Sequence, residues 1–552
     1  MKTLLVAINA KFIHTALSVR LLYLAAKAEH DVSFREYIIK DAPDSIAADI
    51  LSSGADTVAF SCYIWNIMVV RSVCALLKHE RPSLTVLLGG PEISYDAEYF
   101  LTAIPGSDYI LQGEGEELFP KVLTLLEAGQ TPDLPAVSYR GHLSPVIAQA
   151  PLSFVEQLPS PYTLPEDEAH KAERVLYVET GRGCPYRCAY CLSSLEKGVR
   201  FFTDAYLAAR LDEVKQSRAR TVKFLDRSFC ASARHALFVL ERVFSDTTPG
   251  RQYQIEVNAD TIPEEVLSFI CERAPKGLLR LEIGIQSTYG PTNRAVGRTQ
   301  DFARLSETVK RLTASGRVDL HLDLIAGLPL ETYDRFARSF DDVYALAPKE
   351  LQLGFLKMLR GTSLRRDAEA LGCRYDPEPP YEITRTAALS EAELDRIRLA
   401  EDMLEKYHNK GRFSRSLPQV LAAVPSPLAF FEALGRFWLG QGLPLTGYRQ
   451  QDPFVCLDRF TGGRFREAIL TDYYAAYKKR PVRWCDPTLR GADKKAALRL
   501  LAKHCGLDEA LLFRHATVEE FEKSYLLVIY RDDTCDLRVI EKRAMAQTAE
   551  NG

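Results

Sequence analysis

The 552-residue sequence lacks the features of a membrane, exported or repetitive protein. No apolar run reaches the roughly 18 residues that a membrane-spanning helix needs. The opening stretch, MKTLLVAINAKFIH, is too short an apolar segment for a signal peptide, and Lys11 interrupts it. There is no internal repeat and no low-complexity tract. We therefore expect a cytoplasmic protein that does not associate with a membrane.

The sequence also has little excess charge and no disulfide pattern. Its formal net charge is −3, so the overall charge demands neither a nucleic acid nor an acidic membrane as partner. Twelve cysteines in 552 residues is ordinary usage, which excludes a disulfide-based scaffold. In a reducing compartment, clustered thiols usually indicate metal binding or catalysis. With 47% apolar residues, the chain is a globular protein too long for a single core.

Residues 1–130 alternate strand-like and helical segments. The strand-like runs are TLLVAIN, VSFREYII, TVAFSCYI, TVLLGG and DYILQGEG. This βαβα order predicts an α/β domain with a Rossmann-like, doubly wound parallel sheet. Ligands of such sheets bind outside the carboxyl ends of the strands.

Three further regions follow. Prolines recur in residues 131–171, which predicts an extended connector. Residues 172–375 contain about six βα units, the pattern of a partial or full parallel (β/α) barrel. Residues 376–552 predict a mostly helical C-terminal domain that closes with a pair of strands.

Three cysteines lie within the eleven residues GRGCPYRCAYC. Cys184, Cys188 and Cys191 have the spacing C-x3-C-x2-C. A structural zinc site takes four ligands, and the nearest candidate for a fourth, Cys230, lies far along the chain. The alternatives are zinc with a distant ligand, three separate buried thiols, or an iron–sulfur cluster held by three thiolates with one iron left open.

The neighbouring residues resemble the radical S-adenosylmethionine (radical SAM) superfamily. Its signature has this cysteine spacing with an aromatic residue, here Tyr190, before the third cysteine. Four later segments match the family's strand motifs in order: FLDRSF, LEIGIQS, DLIAGLPLET and FLKMLRGTSL. Five ordered matches make an accidental likeness improbable.

The resemblance implies a 4Fe-4S cluster on the three cysteines and S-adenosylmethionine on its open iron. In LEIGIQS, Glu282 and Gln286 share one strand face, so Glu282 could bind a ribose hydroxyl or the methionine ammonium group. Arg298 matches a basic residue near the methionine carboxylate; the alternative is a solvated surface arginine. For Glu282 the alternative is a structural carboxylate. The residues expected to contact these cofactors are Tyr190, Asp226, Glu282, Gln286, Ser287 and Arg298.

The first domain resembles the cobalamin-binding domain of cobalamin-dependent radical SAM enzymes. The matching segments are LLGGPEIS and YILQGEGEELF, and no G-x-G-x-x-G follows the first strand. The alternative is a Rossmann-like domain that binds a nucleotide or nothing. The residues expected to contact cobalamin are Asn9, His14, Ser61, Gly89, Gly90, Gly113, Glu114 and Gly115.

The familiar cobalamin motif D-x-H-x-x-G is missing. Lys11 occupies the position of its histidine, which implies that no histidine lies below the cobalt. His14 is a less favoured ligand. The segments around Ser61, Tyr63 and Trp65 are the other candidates for the lower face of the cofactor.

The resemblance implies a radical methyltransferase acting on an unactivated carbon. The alternatives are a cyclisation or rearrangement with the same cofactors, and a cobalamin sensor with an inactive barrel. We expect an electron donor such as flavodoxin or ferredoxin, and a small molecule, a peptide or tRNA as substrate. Residues 473–503 interleave aromatic and basic side chains, which suits either RNA binding or a solvated helix, and the net charge favours the helix.

Overall fold

The computed structural model describes residues 1–196, 198–531 and 534–545. The chain forms two compact units, Met1–Leu394 and a second unit that begins at Asp395. Within the described ranges, no helix is both long enough and apolar enough to cross a membrane.

The first sheet has six strands in the order β2-β1-β3-β4-β5-β6. Its elements are β1 (Thr3–Asn9), α1 (Leu17–Ala26), β2 (Val32–Ile38), α2 (Pro43–Ser52), β3 (Thr57–Ser61), α3 (Ile67–Glu80), β4 (Thr85–Gly89), α4 (Ala97–Ala103), β5 (Tyr109–Leu111), α5 (Leu118–Glu127) and β6 (Val137–Tyr139). All seven residues of β1 are buried, because helices cover both faces of the sheet. The predicted Rossmann-like fold is confirmed, and the strand order reverses between β1 and β3.

The proline-rich segment does not serve only as a connector. Its residues Val137 and Ser138 are fully buried in β6, which pairs antiparallel with β5. A short helix, α6 (Leu152–Gln157), follows. Buried residues among the prolines therefore complete the first sheet.

The second sheet has six parallel strands in the order β14-β13-β12-β11-β10-β7. The elements from β7 onward are β7 (Val175–Val178), β8 (Gly181–Cys184), β9 (Gly198–Phe201), α7 (Asp204–Gln216), β10 (Thr221–Phe224), α8 (Ala233–Phe244), β11 (Gln252–Val257), α9 (Glu264–Arg273), β12 (Leu279–Gln286), α10 (Gly290–Ala295), α11 (Phe302–Ser315), β13 (Asp319–Ala326), α12 (Tyr333–Tyr344), β14 (Glu350–Phe355), α13 (Ser363–Arg366), β15 (Arg374–Tyr375) and β16 (Ile383–Arg385). Strands β7 and β14 are its edges, so the barrel is partial. Burial alternates along β12, and Glu282 and Gln286 share its less buried face, as predicted.

The second unit is mostly helical, as predicted. Its elements, with the helix that leads into it, are α14 (Glu391–Leu404), α15 (Ser416–Leu421), α16 (Pro427–Gly440), α17 (Asp452–Phe460), α18 (Arg466–Ala475), α19 (Gly491–Cys505), α20 (Glu509–His515), β17 (Ala516–Glu520), β18 (Ser524–Arg531) and β19 (Thr534–Glu541). The closing strand pair is β18 with β19, and β17 adds a third strand that the sequence did not predict. Tyr473 and Tyr474 are buried in the core, so stacking of these two rings on RNA is excluded.

Candidate cofactor site

The three motif cysteines lie on a loop that begins at the end of β8. We call this segment, residues 184–191, the cluster loop. The loop turns where the backbone N–H of Cys191 donates to the carbonyl of Cys188, at 3.0 Å. Between these two cysteines, the backbone N–H of Ala189 donates to the carbonyl of Val296 at 2.8 Å. The carbonyl of Ala189 accepts from the backbone N–H of Leu364 at 3.0 Å. The loop is therefore held by the segments that follow β12 and β14, two strands that carry radical SAM motifs.

The thiols lie close enough to influence one another. Burial raises the pKa of the Cys184 thiol, and the neighbouring Cys191 and Cys188 add to this rise. Positive charge that joins the three sulfurs would relieve their repulsion, which suits an iron–sulfur cluster.

A zinc site is the alternative that the sequence left open for this loop. Across the described residues, no three Cys, His, Asp or Glu side chains converge to hold one ion. In a four-iron cluster each thiolate binds a different iron, so its ligands stand farther apart than those of zinc. Cys230, the suggested distant zinc ligand, is buried, and burial raises its pKa to about 12.

Arg298 reaches the cluster loop from the segment after α10. Its Nη1 lies 3.9 Å from the Sγ of Cys188, and its Nη2 donates to the carbonyl of Gly284 and to Asn258. Burial lowers the pKa of Arg298, but Tyr190 and Cys188 outweigh this effect and raise it overall. The alternative of a solvated surface arginine is therefore wrong. Burial raises the pKa of Tyr190, the aromatic residue of the motif, well above its ordinary value.

The three candidates on or after β12 have different surroundings. Glu282 accepts from Lys223 of β10 at 2.7 Å. Gln286 has a φ of 68°, and its Oε1 is buried without a hydrogen-bond partner. Ser287 is fully buried and donates to Glu331. Gln286 thus keeps an acceptor for a ligand, whereas the side chain of Ser287 is engaged in the protein.

Asp226 lies just past the end of β10 and is also engaged. Its carboxylate accepts from the backbone N–H and the hydroxyl of Thr180, at 3.0 and 2.6 Å. His235 contacts the same hydroxyl at 2.8 Å. Burial raises the pKa of Asp226 to about 7. Asp226 therefore joins the ends of β7 and β10 within the protein.

A cavity of about 740 Å³ lies between the first domain and the cluster loop. Ser61 and Gly89 line it at the carboxyl ends of β3 and β4. Tyr63 and Trp65, whose rings stack 4.3 Å apart, line it nearby. The opposite wall includes Gly181, Arg182, Gly183, Leu192, Ser193, Leu195, Glu196, Leu225, Arg227 and Leu359.

The four predicted glycines serve different purposes. A Cβ atom on Gly89 would meet nothing closer than the carbonyl of Leu111 at 3.9 Å, so its absence leaves cavity space. Gly90 and Gly113 have φ of +111° and +91°, and a Cβ on either would strike backbone atoms of Cys62 or Ala148. The backbone conformation therefore requires glycine at these two positions. Gly115 packs against Leu22. The open space at Gly89 fits a bulky macrocycle.

Asn9 and His14 are not among the residues that line the cavity. Asn9 donates to the carbonyl of His14 and to Glu36. The Nδ1 of His14 lies 2.7 Å from the hydroxyl of Tyr177 on β7. The expectation that these two residues contact cobalamin has no support in the geometry.

A cluster of charges on the cavity wall was not predicted from the sequence. Glu114, predicted as a cofactor contact, is bound by Arg182 and Arg200 of the β8–β9 hairpin. Glu116 is bound by Arg182 as well. The available signal was the complementary charge of the segments GEGE and GRGC, each interrupted by glycines.

Three family models match successive parts of the chain. Residues 3–123 match the B12 binding domain, and residues 178–343 match the Radical SAM superfamily. Residues 369–530 match DUF4080, a family described as a protein of unknown function.

Two methyltransferases are similar in sequence to this chain. The cobalamin-dependent radical SAM methyltransferase TokK of Streptomyces tokunonensis is 28% identical over 56% of this chain. The 2-(S-pantetheinyl)-carbapenam-3-carboxylate methyltransferase of Streptantibioticus cattleyicolor is 27% identical over 55%. These matches span 47% and 46% of the two relatives, about half of their length.

Solved structures share the fold. The cobalamin-dependent S-adenosylmethionine radical enzyme OxsB superposes with a TM-score of 0.58 at 14% identity, over 86% of this chain and 78% of that one. The radical S-adenosylmethionine methyltransferase TsrM of Kitasatospora setae, with cobalamin and a [4Fe-4S] cluster bound, gives 0.56 at 16%, over 68% and 80%. The predicted cofactors are those that the two matched domains imply: a 4Fe-4S cluster, S-adenosylmethionine and cobalamin. The chain therefore combines a B12 binding domain, a Radical SAM domain and a C-terminal region of the DUF4080 family, and it is similar to a cobalamin-dependent radical SAM methyltransferase.

Proposed function

We propose that this protein is a radical SAM methyltransferase that adds a methyl group to an unactivated carbon of its substrate. The observation that carries the proposal is the cavity of about 740 Å³ whose walls come from both cofactor-binding regions. A substrate carbon in it would be within reach of both. The names of the relatives, which are methyltransferases, support the reaction type. The substrate would be a small molecule, a peptide or tRNA.

Cys184, Cys188 and Cys191 would hold the cluster and leave one iron open. When bound, the cluster and S-adenosylmethionine supply an adenosyl radical, and cobalamin carries the methyl group. Arg298, beside Cys188, would place a fixed positive charge next to the thiolates. Flavodoxin or ferredoxin would supply the electron.

Residues on β12 would hold S-adenosylmethionine. Gln286 has a free Oε1, a ready acceptor for an ammonium or hydroxyl group. When the ligand binds, Glu282 would release its hydrogen bond from Lys223 and bind a polar group of the ligand. We assign Ser287 and Asp226 to holding Glu331 and Thr180, and thereby to shaping the strand ends.

In the first domain, Ser61 and Gly89 would lie against cobalamin. Apolar walls such as Leu192, Leu195 and Leu359 would exclude water from the reacting groups. A dry site matters because a carbon-centred radical is readily lost to side reactions.

The test begins with anaerobic purification and measurement of bound iron and cobalamin. The loaded protein is then supplied with S-adenosylmethionine and dithionite, and 5′-deoxyadenosine and S-adenosylhomocysteine are quantified. Untargeted metabolite and tRNA analysis of a deletion strain would identify the substrate. A methyltransferase forms both products, together with a methylated substrate. 5′-Deoxyadenosine without S-adenosylhomocysteine would instead indicate a cyclisation or rearrangement, and neither product would indicate a sensor.

A further inference from the structure

Arg182 lies between the two cofactor-binding regions, two residues before Cys184. Its guanidinium donates to Glu114 at 3.1 Å and to Glu116 at 2.7 Å, both on the loop after β5 of the first domain. It also donates to Glu179 of its own domain at 2.8 Å. The side chain of Arg182 is only 9% exposed. One buried cation thus joins three carboxylates from two domains.

The opposite strand of the hairpin strengthens this contact. Arg200 pairs with Arg182 across β8 and β9, and it binds the second oxygen of Glu114. Arg200 also donates to the carbonyl of Ala150 at 2.8 Å, and the Ala150 N–H donates to Glu114 at 2.8 Å. Glu114 is therefore held from three directions.

The ion pairs of Arg182 and Arg200 connect the two regions that are predicted to hold the cofactors. The loop Gly113–Glu116 and the hairpin residues Gly181–Gly183 all line the cavity. The cluster loop continues directly from β8. A shift of the hairpin against the loop would therefore change the separation of the cobalamin and cluster regions. Misplacement of reacting groups by about 1 Å can cost about 100-fold in rate.

The buried charges favour one arrangement of the two domains. Within the described residues, Glu116 forms its ion pair with Arg182, and its other oxygen, Oε2, is buried without a hydrogen-bond partner. A planar guanidinium can serve three carboxylates in fixed directions, whereas a lysine acts as a point charge. The contact is therefore directional as well as attractive.

We propose that Arg182 is a positioning residue that sets the distance between the two cofactors, and so couples cleavage of S-adenosylmethionine to methyl transfer. This proposal rests on the proposed function. In the part of the chain that the structure describes, the side chain of Arg182 donates hydrogen bonds to carboxylates and none to the thiols or the predicted S-adenosylmethionine residues, so it acts through Glu114 and Glu116.

The test compares R182Q with R182K and with R20Q in the full-length, cofactor-loaded protein. Arg20 is a matched control because it is also buried and binds two carboxylates, Glu36 and Asp167, but does not line the cavity. Electron paramagnetic resonance measures the dipolar coupling between cobalt(II) and the reduced cluster. S-Adenosylmethionine is the probe, and the ratio of S-adenosylhomocysteine to 5′-deoxyadenosine is the second readout.

We expect R182Q to keep iron and cobalamin but to show a weaker or broader dipolar coupling. The product ratio should fall about 100-fold. R182K should recover part of both readouts, and R20Q should change neither. In a double-mutant cycle, R182Q and E116Q should be strongly non-additive, because each removes the same contact.

The proposal would be overturned by a fully loaded R182Q protein that has the dipolar coupling and the product ratio of the wild type. If R182Q does not fold, the same two readouts are measured on R182K and E116Q, because each of these variants leaves part of the charge cluster in place. A wild-type protein that forms no S-adenosylhomocysteine would refute the proposed function instead. The dipolar comparison would still decide the role of Arg182 in that case.

Discussion

The guanidinium of Arg298 lies 3.9 Å from the sulfur of Cys188, although 110 positions separate them in the sequence. The contact forms because the cluster loop and the segment after α10 meet through the hydrogen bond from Ala189 to Val296. A fixed cation beside a thiol favours the thiolate, which is the form that binds iron. We therefore expect Arg298 to lie beside the bound cluster.

Replacing Arg298 with Gln should weaken the cluster. Loss of the charge raises the energy of the nearby thiolate, and changes beside metal ligands commonly cost about tenfold or more in metal affinity. Iron and sulfide content after reconstitution in limiting iron would show this loss. R311Q is the control, because Arg311 on α11 is exposed and binds Glu264 on α9 instead of a residue of the cysteine loop. Iron affinity unchanged from the wild type in R298Q would contradict the assignment.

Changing Cys184, Cys188 and Cys191 together to Ala should abolish iron binding and the formation of 5′-deoxyadenosine. Cobalamin binding should persist, since the first domain has its own core of buried residues around β1 and β3. Iron analysis and the absorption spectrum of bound cobalamin are the measurements. Full iron occupancy in the triple variant would refute the cluster site.

Gly89 and Gly90 are adjacent but should respond differently to substitution. G89V adds a side chain at the cavity wall without a backbone clash, so it should fold normally and bind cobalamin more weakly. G90A places a Cβ 2.5 Å from the carbonyl oxygen of Cys62 at a φ of +111°, and should lose about 2 kcal/mol or more of stability. Urea unfolding and cobalamin titration separate the two effects. Equal affinity of G89V and wild type would remove Gly89 from the cobalamin site.

Bound cobalamin should show no histidine below the cobalt. His14 contacts Tyr177 and does not line the cavity, and Lys11 takes the position of the missing motif histidine. Electron paramagnetic resonance of the cobalt(II) form should therefore lack superhyperfine splitting from an axial nitrogen. Splitting that disappears in H14A would show the reverse.

Stability should depend on pH through Asp226. Burial raises its pKa from an ordinary 3.8 to about 7, so between these values the folded chain holds a proton that the unfolded chain has lost. The stability linked to Asp226 is therefore highest below pH 3.8 and falls as the pH rises toward 7. Each unit of pKa difference corresponds to about 1.4 kcal/mol. Denaturation of D226N at pH 5 and pH 8 should show a flatter dependence than the wild type, and identical slopes would contradict the shift.

Local patterns were sufficient to predict much of this protein. The cysteine spacing, the alternation along β12 and the βα order depend on residues near one another in the chain, and so can be read directly. The partial closure of the barrel could not be read in this way, because it depends on which strands remain as edges. The burial of Val137 and Ser138 was likewise hidden among prolines.

The sequence by itself determined the two cofactor-binding domains and predicted the three thiols of the cluster site, because those features are carried by short motifs with local geometry. Only the tertiary structure decided which polar and charged side chains already have a partner within the protein. Glu114, Ser287 and Asp226 were candidates for ligand contact, yet each is satisfied by a partner more than 40 positions away. The role of Arg182 was not predicted for the same reason, because its partners Glu114 and Glu116 are also distant in the sequence. A buried charge must find a counter-charge or hydrogen bond, and long-range packing of the chain determines which one it finds.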